Sequence, residues 1–86
     1  MSYKLSMTTV NYHDKDLLVI LEPWAEFFTL KPKKTITIIG EGGAVGSNFD
    51  IEYNGKYICI HAWGDSIATA YRDGVELDPE DQIFPE

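Results

Sequence analysis

Apolar and polar residues alternate with a period of two along most of this chain, and that is the spacing of a strand lying against a core. The clearest case is Phe49 to Tyr53 (FDIEY): Phe49, Ile51 and Tyr53 fall on one side, Asp50 and Glu52 on the other. Asn54-Gly55 follows, a pair whose members both tolerate positive φ, which predicts a tight hairpin. Lys56 to Trp63 (KYICIHAW) then reads as the returning strand, with Ile58 and Ile60 facing inward and Tyr57, Cys59, His61 and Trp63 facing outward. Further strands are predicted over Tyr3–Tyr12, Asp16–Glu22, Glu26–Leu30, Thr35–Ile39, Ser66–Arg72 and Val75–Leu77, each rich in Thr, Val, Ile or aromatic residues.

Turn residues separate these segments every 8–12 residues, as in small sandwiches. No stretch of ten residues carries a helical stripe, and Glu22 to Phe28 has room for one helical turn at most. The fold class expected is all-β: a single antiparallel β-sandwich of seven to eight short strands over residues 1–86, with 78–86 an irregular acidic tail. The expected core is Leu18, Ile20, Leu30, Ile36, Ile38, Phe49, Ile51, Ile58, Ile60, Ile67 and Thr69. Asp16 to Glu22 (DLLVILE) is apolar on both faces, so its inward side is the hardest to assign.

One stretch asks for a different reading. TITIIGEGGAVGSNFD, Thr35 to Asp50, runs from a β-rich segment into Gly40, Gly42, Gly43 and Gly46, as a dinucleotide-binding loop would. The fingerprint Gly-x-Gly-x-x-Gly needs its third glycine at Val45, and Gly46 comes one place late. The next segment is a hairpin, so no helix N-terminus follows to hold a pyrophosphate. A glycine-rich connection between two strands is the expectation.

Charge narrows the function classes. Fourteen acids against seven bases give a net charge of −7, which works against phosphate backbones and anionic lipid. Residues 1–34 hold five Lys and four acids, whereas residues 35–86 hold ten acids with only Lys56 and Arg72. Such an acidic surface suits a basic partner and speeds encounter more than it deepens affinity. The expectation is therefore no nucleic acid and no membrane. The single cysteine, Cys59, excludes an intramolecular disulfide, and no signal-like or membrane-length apolar window occurs, which together predict a cytoplasmic protein.

Candidate chemistry is sparse. Cys59 and His61 share a strand face and, with His13, have the residue types of a copper site, but no methionine follows them toward the C-terminus. A structural cysteine is expected, with no metal and no cofactor. A Cys–His nucleophile would need an orienting acid and an oxyanion donor that the sequence does not offer. Asp50 and Glu52 lie side by side on one strand, not across a cleft as a glycosidase requires. No enzymatic activity is expected.

The aromatic residues carry the positive signal. Tyr57, His61 and Trp63 form an outward stripe, Trp24 after Pro23 is expected either at the sandwich end or folded over that face, and Asp50 and Glu52 supply rim charges. Trp and Tyr are enriched at binding hot spots. The segment LEPWAEFFTLKPKKTITI, residues 21–38, resembles a pattern of small bacterial β-proteins in which Leu-Glu-Pro-Trp precedes Leu-x-Pro-Gly and a second β-rich strand. Lys33 stands here in place of the glycine, and GDSIATAYRDG (residues 64–74) is similar to the same group. The resemblance implies a compact β-domain and attaches no activity. The leading expectation is a non-enzymatic protein-binding domain of immunity or adaptor type, with Trp24, Tyr57, His61, Trp63, Asp50 and Glu52 as contacts. The alternatives are a carbohydrate or small-ligand module stacking on Trp24 and Trp63, and a homo-oligomer formed through an exposed edge strand or the aromatic face.

Overall fold

The structure, a computed structural model, describes residues 2–80. Eight strands occur in chain order: β1 (Lys4–Val10), β2 (Leu17–Glu22), β3 (Glu26–Leu30), β4 (Thr35–Gly42), β5 (Asp50–Tyr53), β6 (Tyr57–His61), β7 (Ser66–Arg72) and β8 (Val75–Glu76). They form two four-stranded sheets, ordered β1-β4-β7-β8 and β3-β2-β6-β5, packed as a β-sandwich. The first sheet is antiparallel throughout. In the second, β2 and β6 run parallel, from Leu18 opposite Tyr57 to Glu22 opposite His61, which departs from the all-antiparallel expectation. No described residue is helical, so no helix is long and apolar enough to cross a membrane. The stretch from Glu22 to Phe28 is a hairpin whose turn holds a cis Glu22–Pro23 bond and Ala25 at φ 54°.

The core lies between the sheets and comprises Leu17, Val19 and Leu21 of β2, Phe28 and Leu30 of β3, Ile36 and Ile38 of β4, Ile60 of β6, and Ala68 and Ala70 of β7. Met7, Phe49, Ile58, Ala62 and Leu77 close its margins. Leu30, Ile36, Ile38 and Ile60 match the sequence expectation, with Phe49 and Ile58 marginal.

Four expected core positions lie outside the cluster between the sheets, although one of them, Ile20, is buried. Leu18 and Ile20 take the outer face of β2, because the run Leu17 to Leu21 is apolar on both sides and pairing decides the face. Ile67 is 70% exposed and Thr69 faces outward with it. The β4–β7 register sets Ala70 opposite Ile38 and Ala68 opposite Gly40, so the small residues go inward. A one-residue change of register moves every side chain to the other face, and pairing overrides the larger isoleucine. Ile51 is half exposed for a different reason: β5 is the edge of its sheet.

Asn11 is the one buried polar side chain among the described residues. Its Nδ2 donates to Lys15 O at 2.8 Å and Leu30 O at 2.9 Å, and its Oδ1 accepts from His13 N at 2.9 Å. Its backbone exchanges hydrogen bonds with Lys33 and Lys34. The β1–β2 loop and the β3–β4 turn are thereby tied into one end of the sandwich. The expected tail is described only through Glu80, whose N–H donates to Phe27 O and whose carboxylate accepts from Thr29 N and Oγ1 at 2.6 Å. Residues 81–86 lie outside the described residues.

Candidate functional face

The outer face of the second sheet brings together most of the residues singled out in the sequence. Pairing aligns them in rows. Glu22 of β2, His61 of β6 and Asp50 of β5 form the first row. Phe27, Ile20, Cys59 and Glu52 form the second, and Thr29, Leu18 and Tyr57 the third. Directly opposed side chains on a common face stand about 5 Å apart. Ile20 and Phe27 are buried, Tyr57, Cys59, His61 and Glu22 are half-buried, and Asp50 and Glu52 are exposed. The accessible part of this face is the strip of Tyr57, Cys59 and His61, with Glu22 on one side and Asp50 and Glu52 on the other, whereas Ile20 and Phe27 are covered.

The chemistry of this face follows from its charges. Cys59 Sγ lies 3.5 Å from His61 Nε2. Burial pushes the Cys59 thiol above its ordinary value of 9.0, and the nearby charges of Glu22 and then Glu52 push it in the same direction. The thiol therefore holds its proton at neutral pH, the opposite of what an activated nucleophile needs. One oxygen of Glu22, Oε1, is buried without a hydrogen-bond donor among the described residues. His13, the third member of the copper-type set, sits at the opposite end of the sandwich, where Nε2 is 2.8 Å from Tyr53 Oη and the rings stack at 6.2 Å. Among the described residues, no three His, Cys, Asp or Glu side chains converge as a metal would require.

Trp63 departs from the expected stripe. β6 ends at His61, and Trp63 opens the Trp63–Ser66 turn, so the period of two no longer applies. Its indole enters the end of the sandwich, 5.0 Å from the Phe49 ring and 5.6 Å from Tyr3, and its Nε1 donates to Gly42 O at 2.8 Å. This resolves the glycine stretch. A Cβ on Gly40 would come within 2.5 Å of Trp63 Cη2, and one on Gly43 within 2.7 Å of Trp63 Cδ1. Two of the four glycines make room for an indole ring, and β4 continues through Gly42 instead of ending at Ile39. Trp24, 39% exposed, sits in the β2–β3 turn at the same end of the sandwich.

Glu22 is the member of this face that sequence reasoning missed. It sits next to Pro23 at a strand end, and only the parallel pairing of β2 with β6 brings it beside His61. No protein-family model matches the chain, and searches of curated proteins and of solved structures return no similar protein.

Proposed function

We propose that this protein is a non-enzymatic protein-binding domain of immunity or adaptor type, and that the outer face of its second sheet receives a basic partner. The observation that carries the reading is the row Glu22, His61 and Asp50 with Glu52 beside it: carboxylates from two strands, β2 and β5, on either side of a half-buried tyrosine and histidine of β6. A Lys or Arg from the partner would pair with the exposed carboxylates of Asp50 and Glu52, and a charge-assisted bond is stronger than a neutral one. Asp50 and Glu52 would steer the encounter from the rim. A carbohydrate module built on two tryptophans is less well supported, because Trp63 packs against Phe49 and Tyr3 and only Trp24 offers an accessible ring.

The test is capture from host lysate with the wild-type protein and with an Asp50→Lys, Glu52→Lys variant, at low and high salt. Both positions are exposed, so the variant should fold. A stoichiometric partner held by the wild type at low salt, and absent from the variant and from high salt, is expected. A partner held equally by both proteins would overturn the assignment of the face.

A further inference from the structure

The β5 strand is an open edge with an unusual combination of features. Among the described residues it pairs only with β6, and all four of its residues are exposed. The hairpin bond from Asn54 N to Tyr57 O fixes the alternation of its backbone. Counting back in twos, Glu52 and Asp50 bond toward β6, while Ile51 and Tyr53 turn their N–H and C=O groups away from the sheet. Among the described residues, nothing bonds those outward groups. The side chains alternate as well. Asp50 and Glu52 face outward, whereas Ile51 and Tyr53 point toward the inner side of the sandwich and yet remain 51% and 53% exposed.

Their exposure has a geometric cause. The facing edge of the other sheet is β1. Tyr3 Oη, just before β1, donates to Ser47 O, just before β5, at 2.8 Å, and His13, just after β1, meets Tyr53, the last residue of β5. These two contacts hold the edges together at their ends. Between them, inward-facing Leu5 and Met7 of β1 are themselves only partly buried. The side of the sandwich between β1 and β5 is thus open, with apolar side chains already directed into it.

We propose that β5 accepts an added strand from the partner protein: an extended segment in which Lys or Arg alternates with apolar residues. This rests on the acidic-face reading above and names what the partner brings to it. The strand bonds through its backbone to Ile51 and Tyr53, sets its basic residues beside Asp50 and Glu52, and lays its apolar residues over Ile51 and Tyr53. Strand addition of this kind takes affinity from main-chain bonds and specificity from alternate side chains.

The same acids reject the obvious competitor. A second copy pairing β5 with β5 would bring Asp50 and Glu52 against their own kind, and opposed like charges destabilise a strand pair. β5 contains no proline or lysine to block pairing, so its carboxylate pair is the guard that selects the incoming strand by charge. The other edges lack this selectivity. β3 is bridged by Glu80, β8 has two residues, and β1 carries only Lys4 as a charge.

The experiment is an amide-resolved NMR titration of the ¹⁵N-labelled protein with a capped hexapeptide alternating lysine and valine. A second peptide has the same sequence with its alternate amides N-methylated. Strand addition predicts slowed hydrogen exchange at the Ile51 and Tyr53 amides, and binding by the N-methylated peptide weaker by about tenfold or more. An Ile51→Pro variant should lose binding while keeping the β5–β6 ladder, since the N–H removed points outward. Equal binding by both peptides, with shifts centred on Tyr57 and His61, would overturn strand addition and leave the acidic-face reading standing. No binding by either peptide at low salt would also overturn it, and the lysate capture would judge the acidic face separately.

Discussion

Asn11 makes three side-chain hydrogen bonds while only 1% exposed, and all three go to backbone groups of neighbouring turns. Truncation to alanine leaves those groups without partners, each at a cost of about 1–3 kcal/mol if it stays dry. Asn11→Ala should lower stability by roughly 2–4 kcal/mol in urea unfolding, a large share of the stability of a domain this size. Gly40 poses the reverse problem. An alanine there pushes against Trp63 and also comes within 3.0 Å of Phe49, and overpacking of this kind costs about 1–3 kcal/mol. Gly40→Ala should also perturb tryptophan fluorescence. Cys59 gives a pH signature. Its folded-state value is raised, so the folded protein binds the proton more tightly than the unfolded chain does. That contribution to stability is complete below the ordinary value of 9.0 and is lost as pH climbs through the higher folded value. Alkylation of Cys59 at pH 9 should be slower in the native protein than in urea, and faster in Glu22→Gln than in the wild type.

At the scale of elements, strands were easy to read and faces were not. Alternation, turn residues and β-branched composition place all eight strands close to their observed bounds, because those signals are local. The inward side of β7 depends on its pairing with β4, and nothing within SIATAYR favours alanine over isoleucine as the buried set. The difference is measurable. Ile67→Ala, at a 70% exposed position, should change stability by no more than about 0.5 kcal/mol. Ile38→Ala, on the adjacent strand and fully buried, should cost about 2–5 kcal/mol. Similar effects at the two positions would refute the observed register. The candidate face was legible in part for the same reason. Tyr57, Cys59 and His61 follow from alternation within β6, and Asp50 and Glu52 from β5. Trp63 lies past the last paired residue, and Glu22 arrives through a parallel pairing that has no local mark.

Across the whole molecule, charge is sorted in a way that a count along the chain conceals. Lys15, Lys31, Lys33, Lys34, Lys56 and Arg72, six of the seven basic residues, fall in or beside the turns at the Asn11 end. Glu22, Glu26, Glu41, Asp50 and Asp65 gather at the Trp63 end. The Trp63 end of the sandwich is therefore more negative than an even spread of −7 would make it. The two ion pairs between described residues, Lys31–Asp16 at 3.0 Å and Lys4–Glu41 at 4.0 Å, are exposed and contribute little. Screening should relieve more repulsion than it removes attraction. The thermal midpoint should rise as sodium chloride increases from about 0.01 to 0.3 M, where the Debye length falls well below the size of the domain. A midpoint that fell with salt would show that the two poles attract more than the net charge repels.

Local pattern and composition are enough to make this an all-β chain, to place its strands and turns, and to give it an acidic charge. These properties are set by neighbours a few residues apart or by composition. Tertiary structure decided which face of β2 and β7 is buried, why Gly40 and Gly43 are glycines, that Trp63 packs inward, and that Glu22, Cys59, His61, Asp50 and Glu52 share one surface. Several of these are fixed by contacts across 20 or more positions, such as Ile38 with Ala70, Glu22 with His61 and Gly40 with Trp63, and the chain carries no local signal for such distances. The open edge at β5 belongs to both levels: its alternating FDIEY is written in the sequence, and its place at the rim of the sandwich is not.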